Sequence, residues 1–330
     1  MTAAAMIESE RAILSRTLRT LTEQFDGAAL SKRLNDFGFC ELLAEAPREA
    51  VSALFGGLGR AGSMCTALQA VLRQPLAGIL SEEIADVDVA LPWIGSDLVG
   101  DGDHDTFAIR GLVIGHTAGA ACLAPVAIRG ELVWVHLADD ATLNSRTVEG
   151  LDPELAMTEI RGVTAPADVV VAGGSATAVW AAVCTAGRLA LGYQILGAVD
   201  QMIDLAVEHA RNRVQFGRPI GSFQAVRNRL ADAHVARQGA ASALESAWGV
   251  DDAFLAGLLA KSLAGRAARI AATQCQQVLA GIGFTTEHPF HRFMARALVL
   301  DSVLGSAAEL PREIGAHLNS VGTIPRLVDL

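Results

Sequence analysis

The chain has 330 residues, of which 51% are hydrophobic and 19% charged, and its formal net charge is −10. This apolar content excludes a disordered chain, because disordered chains have few hydrophobic residues and a high charge density. The acidic balance argues against nucleic acid as a partner, and the length is sufficient for two or three packed units.

Two uncharged stretches raise the question of a membrane span. They lie between Arg110 and Arg129 and between Asp168 and Arg188. Each approaches the length of about 20 residues that a spanning helix needs, but each is interrupted by glycine or proline. We therefore expect buried structure in a soluble protein, with no membrane span.

The N-terminal residues and the cysteines both favour the cytoplasm. Glu8, Glu10 and Arg11 stand where a secretory signal peptide would need an apolar segment. The five cysteines are widely spaced and form no C-x-x-C pair, which is typical of reduced, buried thiols. We predict a cytoplasmic protein, and no metal site, because no cluster of histidine and cysteine has ligand spacing.

Hydrophobic periodicity divides the chain into three parts. Helical spacing predicts an N-terminal helical domain over residues 1–75, and its return predicts a C-terminal bundle of four long helices over residues 176–330. Between them, residues 76–175 predict a small central β domain with a hairpin turn at Arg129-Gly130. The predicted strands are rich in β-branched residues: Phe107–Ile114, Leu123–Ile128, Glu131–Leu137 and Val169–Val171.

Capping residues locate the helices of the predicted bundle. The first helix ends near Asn212, and Ser222 is the expected N-cap of the second, since its hydroxyl can accept a free backbone N–H. Asp251 or Asp252 caps the third, and Pro289 opens the fourth, where a missing N–H costs nothing. The predicted fold class is α+β, mostly α, in the order helices, β domain, helical bundle.

The most specific string is Arg211-Asn-Arg-Val-Gln-Phe-Gly-Arg-Pro-Ile-Gly-Ser-Phe-Gln224, followed by Leu-Ala-Asp at 230–232. It places a basic turn after a helix, with Gly217 allowing the bend. Arg213 can pair with a phosphate through two hydrogen bonds, and Phe216 offers an apolar face to a ring. The alternative is an ordinary solvated arginine cluster at the end of a helix.

These residues resemble the R-x-x-F-G turn, with its following F-Q and L-A-D, of the acyl-CoA dehydrogenase family. A second segment, Gln277-Val-Leu-Ala-Gly-Ile-Gly-Phe-Thr-Thr-Glu-His-Pro289, is similar to the family's Q-x-x-G-G-x-G motif. The resemblance implies an N-terminal helical domain that is short for the family, a central β domain and a four-helix bundle. It also implies FAD as cofactor and α,β-desaturation of an acyl-CoA thioester.

The resemblance assigns the ADP half of a neighbouring subunit's FAD to Arg213, Gln215, Phe216, Gln277 and Gly281. Ala280, where the family usually has glycine, counts as a small change. The flavin half is expected at a W-x-T segment of the β domain. Its counterpart here is Gly115-His116-Thr117, which keeps the threonine and lacks the tryptophan.

The catalytic glutamate that the resemblance leads us to expect is absent. Its position corresponds to Leu304 when the segment is anchored on Pro289, and to Gly305 when it is anchored on Arg296. In relatives that carry the base on the first bundle helix, the corresponding residue is Gly187.

The nearest carboxylates to the first position are Asp301 and Glu309. Asp301 lies about three residues away, roughly one helical turn, so its side chain would point elsewhere. For both carboxylates we expect a solvated or capping role rather than the role of general base.

A preserved ADP side and a missing base imply a non-catalytic subunit of a heteromeric, α2β2 acyl-CoA dehydrogenase, resembling those that actinobacteria use on steroid-derived CoA esters. The implied partners are a catalytic subunit, an acyl-CoA substrate and an electron-transfer flavoprotein as acceptor. Two alternatives remain: a non-enzymatic scaffold or acyl-CoA-binding pseudoenzyme, and a flavin monooxygenase of the same fold.

Overall fold

The computed structural model describes residues 8–81, 84, 86–103, 106–115, 121–138, 143–164 and 168–322. Its elements follow the predicted order of helices, strands and helices, which confirms the α+β fold class. The helices are α1 (Glu8–Gln24), α2 (Gly27–Phe37), α3 (Phe39–Glu45), α4 (Pro47–Ala61), α5 (Ala67–Arg73), α6 (Gly173–Asn212), α7 (Gln224–Ser246), α8 (Ala253–Leu279), α9 (Phe290–Ser302) and α10 (Leu310–Val321).

The central strands are β1 (Asp88–Val89), β2 (Leu91–Pro92), β3 (Gly100–Gly102), β4 (Phe107–Ile114), β5 (Cys122–Ile128), β6 (Glu131–Leu137), β7 (Leu143–Thr147), β8 (Met157–Thr164) and β9 (Asp168–Val171). Among the described residues they form one nine-stranded sheet in the order β7-β8-β4-β3-β5-β6-β9, with β1 paired to β5 and β2 to β4. Its core consists of inward-facing side chains such as Phe107, Val126, Val135 and Ile160.

The predicted hairpin at Arg129-Gly130 is confirmed. It joins the antiparallel strands β5 and β6, and its two residues have φ values of 51° and 85°. Positive φ at both central positions matches the right-handed twist of the flanking strands. Glycine adopts this conformation without strain, which is why the dipeptide could be recognised as a turn.

Contacts between Cα atoms divide the chain into two compact units. The first contains Met1–Gln24, Ala46–Ser63 and Arg188–Leu330, and therefore α1, α4, α7 to α10 and the larger part of α6. The second contains Phe25–Glu45 and Met64–Gly187, and therefore α2, α3, α5 and the sheet. Each unit thus combines segments from the N-terminal helices with a later part of the chain.

Within the first unit, α7 and α8 form an antiparallel pair. Arg229, near the start of α7, donates a hydrogen bond to Gln274, near the end of α8, at 2.8 Å. Gly239, further along α7, lines the same groove as Leu263, which is earlier in α8. The start of α7 therefore lies beside the end of α8.

The predicted caps have different outcomes. Asp252 caps α8, since its carboxylate accepts a hydrogen bond from the backbone N–H of Leu255 at 3.0 Å. The prediction for Ser222 was wrong: α7 begins at Gln224, and the Ser222 hydroxyl donates to the carbonyl of Pro219 at 2.7 Å. A 3₁₀ turn over Ile220–Ser222 precedes the helix and engages this serine. Pro289 stands directly before α9.

Among the described residues one helix, α6, is long and apolar enough to cross a membrane. However, 83% of its most apolar window is buried within the structure. The core helix of a soluble protein meets the same two criteria, so α6 is weak evidence for a membrane span.

Candidate functional site

The end of α6 leads into a tight hairpin that presents an aromatic ring to solvent. Strands β10 (Val214–Gln215) and β11 (Arg218–Pro219) pair antiparallel. The turn between them contains Phe216 and Gly217, with φ values of 54° and 77°. Positive φ is uncommon for a phenylalanine, and here it directs a ring that is 92% exposed away from the unit.

Aromatic and cationic side chains pack against this turn. The rings of Phe216 and Phe223 pack edge to face with centroids 6.1 Å apart, and the guanidinium carbon of Arg218 lies 4.3 Å from the centroid of Phe223. At the base of the hairpin, the backbone N–H of Arg213 donates to the carbonyl of His209 at 2.8 Å. The turn is therefore fixed while Phe216 stays free to stack on a ligand ring.

Two histidines lie close to the hairpin and to each other. Burial lowers the pKa of His209, and the neighbouring His288 and Arg213 lower it further. Burial also lowers the pKa of His288, and His291 acts in the same direction, against the raising effect of Glu208. Each charged neighbour disfavours another positive charge, so the pKa values of both histidines lie below their ordinary value beside the permanent charge of Arg213. An exposed guanidinium in this setting suits a phosphate.

The second predicted segment lies at the same end of the α7–α8 pair. Gln277 is exposed on the last turn of α8, and Gly281 is exposed in the 3₁₀ turn that follows. A Cβ atom added to Gly281 would meet nothing within 4 Å. The chain itself therefore does not require glycine there, and the space above it is open to a group from outside. Gln215 is also exposed, so the structure brings all five predicted cofactor residues to one accessible end of the first unit.

Ala280 corrects the prediction that its replacement of glycine is a small change. Its backbone has φ 53° and ψ −136°, a region that is essentially restricted to glycine. An alanine in this conformation is strained, because its Cβ crowds the backbone.

We expect Ala280→Gly to raise the free energy of unfolding by about 1 kcal/mol. Relief of strain of about 1–3 kcal/mol is partly offset by the greater freedom of glycine in the unfolded chain, about 0.4–1 kcal/mol. Equilibrium unfolding in urea measures the difference. Ala241→Gly, in the interior of α7, is the matched control and should lower stability by about 1 kcal/mol. A loss of stability in both variants would contradict the assignment of strain.

The predicted base position lies in a tight turn between α9 and α10. Leu304 and Gly305 have φ values of 57° and 93°. A Cβ atom at Gly305 would lie 2.5 Å from Cδ2 of Leu310. The carbonyl of Leu304 accepts a hydrogen bond from Nε of Arg188 at 3.1 Å, and that of Gly305 accepts from Nζ of Lys261 at 3.1 Å. The segment is therefore held by two cations and carries no acid.

Lys261, which sequence reasoning missed, is completely buried. Its ammonium group also donates to the carbonyl of Asp301 at 2.9 Å. Burial lowers its pKa to about 8, although the nearby charge of Asp301 opposes that change. One signal was available: Lys261 is one of only two lysines in the chain, and it directly follows the apolar run over residues 253–260.

Asp301 is not solvated, contrary to prediction. It is buried, and its Oδ2 accepts hydrogen bonds from Nε and Nη2 of Arg269 at 3.2 and 3.0 Å. Its Oδ1 accepts from the backbone N–H of Ala307 at 3.0 Å. Both oxygens are committed, so Asp301 is a structural anchor.

Glu309 is exposed, which matches the solvated role predicted for it, and its side chain makes no capping hydrogen bond to α10. Its carboxylate accepts hydrogen bonds from the backbone N–H and the hydroxyl of Ser306 at 3.0 and 2.8 Å. These bonds lower its pKa, although partial burial opposes them. A general base works best with a pKa near the operating pH, so a lowered pKa makes Glu309 unsuited to that role.

The alternative base position, Gly187, lies buried within α6 and is followed by a buried cation. Nη2 of Arg188 pairs with the carboxylate of Glu313 at 3.0 Å, and its guanidinium carbon lies 5.6 Å from the centroid of Phe254. The acid of some relatives is thus absent here too, and the next residue carries the opposite charge.

On the predicted flavin side, only Gly115 is described. Its φ is 75°, and a Cβ atom there would lie 2.9 Å from the carbonyl oxygen of Cys65, so both conformation and space require glycine. His116 and Thr117 lie outside the described residues.

Comparisons with known proteins agree with this arrangement. Residues 174–318 match the family model of the acyl-CoA dehydrogenase C-terminal domain. Acyl-CoA dehydrogenase IpdE2 of Mycobacterium tuberculosis is 27% identical over 94% of this chain and 96% of its own length. The ChsE4-ChsE5 complex from Mycobacterium tuberculosis superimposes with a TM-score of 0.76 and 23% identity, covering 99% of this chain and 100% of that chain. The chain has an acyl-CoA dehydrogenase-like fold.

A further structural neighbour is described as the Tcur3481-Tcur3483 steroid ACAD G363A variant. It has a TM-score of 0.78 and 21% identity, and covers 95% of this chain and 99% of that chain. The family match and the sequence relative indicate similarity to the acyl-CoA dehydrogenase family, whose members are FAD-dependent flavoproteins, and the structural neighbours share its fold.

Proposed function

We propose that this chain is the non-catalytic subunit of a heteromeric acyl-CoA dehydrogenase. In this proposal it binds the ADP half of FAD in a site that it shares with a catalytic partner, in an α2β2 assembly. The observation that carries the proposal is the contrast between two parts of the first unit. The residues for the ADP side are exposed and lie together, while Leu304 and Gly305 lie in a closed turn without an acid.

The residues of the hairpin and of the α8 end fit an ADP group chemically. The guanidinium of Arg213 supplies charge and paired donors for a phosphate. The Phe216 ring offers a stacking face, while the amides of Gln215 and Gln277 supply donors and acceptors. Open space at Gly281 allows a ligand to approach the backbone closely.

Desaturation requires removal of an α-proton and of a β-hydride. When bound, FAD supplies the hydride acceptor. Proton abstraction needs a general base beside the substrate, and neither Asp301 nor Glu309, the carboxylates nearest the expected position, is available for that task. The proposal therefore assigns the base to the partner, and to this chain the binding and orientation of the cofactor.

The substrate class and the electron acceptor are part of the same proposal. The structural neighbour described as a steroid ACAD supports an acyl-CoA ester derived from a steroid as the substrate. We propose that an electron-transfer flavoprotein accepts the electrons, in the cytoplasm.

Arg213→Ala tests the shared site in the complex purified with its partner. Loss of a hydrogen-bonded charge costs about 1.5–3 kcal/mol, so we expect FAD to bind roughly 10–100 times more weakly. Flavin absorbance per complex and the subunit ratio are the measurements. The control is Arg312→Ala, another exposed arginine of the first unit, which should leave the flavin content unchanged.

Two results would overturn the proposal. One is an isolated chain that binds one FAD per subunit and oxidises an acyl-CoA by itself. The other is an Arg213→Ala complex that retains its flavin, which would favour a scaffold or acyl-CoA-binding protein.

A further inference from the structure

Three arginines meet on the outer face of the sheet in the second unit. Arg110 on β4 is paired directly with Arg161 on β8, and Arg146 on β7 is paired with Glu159 on β8. Directly paired residues of antiparallel strands project to the same face, and so do residues two apart on one strand. All four side chains therefore share one surface, here termed the arginine face.

A buried carboxylate organises two of these arginines. Glu159 is only 4% exposed and accepts hydrogen bonds from Nε of Arg110 at 3.0 Å and Nη2 of Arg146 at 2.7 Å. Burial alone would raise the pKa of Glu159, but the two guanidinium groups lower it below its ordinary value. The centroid of the Trp93 ring lies 4.3 Å from the guanidinium carbon of Arg110, a cation–π contact. The arginine face is thus constructed around an ionised anchor.

The third arginine has no such partner. Within the described part of the chain no ion pair of Arg161 is found, and its cross-strand neighbours are Arg110 and the neutral Asn144. Like charges directly opposite on neighbouring strands destabilise a sheet. Asp101 on β3 shares the face but is paired one step further along, beside Ala108. The face therefore carries more guanidinium groups than its carboxylates neutralise.

We propose that the arginine face binds a phosphate group. Arg110 uses only Nε for Glu159, which leaves its two terminal nitrogens for an anion. Arg161 lies opposite on β8 with all the N–H groups of its guanidinium available, and the side-chain amide of Asn144 provides an uncharged donor. Guanidinium forks match phosphate oxygens in pairs, and a phosphate between Arg110 and Arg161 converts their repulsion into a bridge. The group belongs either to inorganic phosphate or to the phosphomonoester of a small molecule.

Arg161→Thr distinguishes a phosphate site from an ordinary exposed arginine. The substitution should preserve or raise the Tm in chloride buffer, while it should weaken the binding of phosphate. Threonine favours strands, so in chloride buffer the variant should melt at the same temperature as the wild-type full chain or above it. Added inorganic phosphate at constant ionic strength should raise the wild-type Tm by about 2 °C at ten times Kd. The variant should bind phosphate at least about tenfold more weakly, so its Tm should shift by less than about 1 °C at that concentration.

A control variant and a second ligand complete the test. Arg16→Ala, an exposed arginine of α1, should retain the full phosphate-dependent shift. The second ligand is adenosine 3′,5′-bisphosphate. If the wild type binds it tenfold more tightly than inorganic phosphate, the ligand is a phosphomonoester; if it binds both equally, the ligand is free phosphate. Equal shifts in the wild type and Arg161→Thr, or no shift with either ligand, would overturn the proposal.

Discussion

Asp301→Ala is expected to lower the free energy of unfolding by about 3–5 kcal/mol. Removing one partner of a buried ion pair leaves the other charge uncompensated, which costs this much. Asp301 is completely buried, and the ammonium of Lys261 lies 4.0 Å from its Oδ1. The substitution also takes an acceptor from Arg269 and from the backbone of Ala307. Urea unfolding followed by circular dichroism measures the loss.

An exposed ion pair of the same unit provides the control. Asp204 pairs with Arg60, and its side chain is 54% exposed. Pairs of this kind contribute about 0–1 kcal/mol, so Asp204→Ala should change stability little. If Asp301→Ala were equally mild, the charges around Lys261 would be solvated rather than buried, and the account of the closed turn would be wrong.

The fold could be predicted to the extent that periodicity and turn residues reveal buried faces. The β4 segment, Phe107–Ile114, and the turn at Arg129-Gly130 carry local signals, and both were correctly located. Strand β8 was missed because Glu159 and Arg161 interrupt its apolar pattern. These two residues belong to the arginine face, and only the pairing of strands explains their presence.

In the candidate site, too, only the local features could be predicted from the sequence. The motif around Arg213 and Phe216 is local in sequence, so its position and exposure followed from the string itself. The buried network was invisible because Lys261 and Asp301 are 40 residues apart. The role of Asp301 was therefore misjudged, since nothing local shows that a carboxylate will be buried beside a cation.

Conformation also changes what a missing residue means. A sequence shows that no glutamate stands at Leu304 or Gly305. The structure adds that positive φ values and hydrogen-bonded carbonyls hold this segment in a turn. Restoring a glutamate would also bring a Cβ at Gly305 against Leu310. Under the proposed function, the base position therefore lacks an acid, and the turn also leaves no room for one at Gly305.

Gly59→Ala should destabilise the first unit by roughly 3 kcal/mol, at the upper end of the cost of overpacking. The helices α4 and α6 approach so closely that a Cβ at Gly59 would lie 1.9 Å from the carbonyl oxygen of Gln194. From the other side, a Cβ at Gly197 would lie 2.2 Å from the carbonyl oxygen of Gly56. In both cases the obstacle is backbone, which cannot rotate away as a side chain can, so the helices themselves must separate.

Gly56→Ala is the matched control, one turn earlier in α4. A Cβ at Gly56 would meet nothing within 4 Å, and alanine is favoured over glycine in a helix by about 0.5–1 kcal/mol. We therefore expect this variant to gain stability in the same urea titration. Opposite signs from two identical substitutions three residues apart would show that backbone contact, rather than helix propensity, sets the spacing of α4 and α6. Equal gains in both variants would show that the two helices do not touch at Gly59.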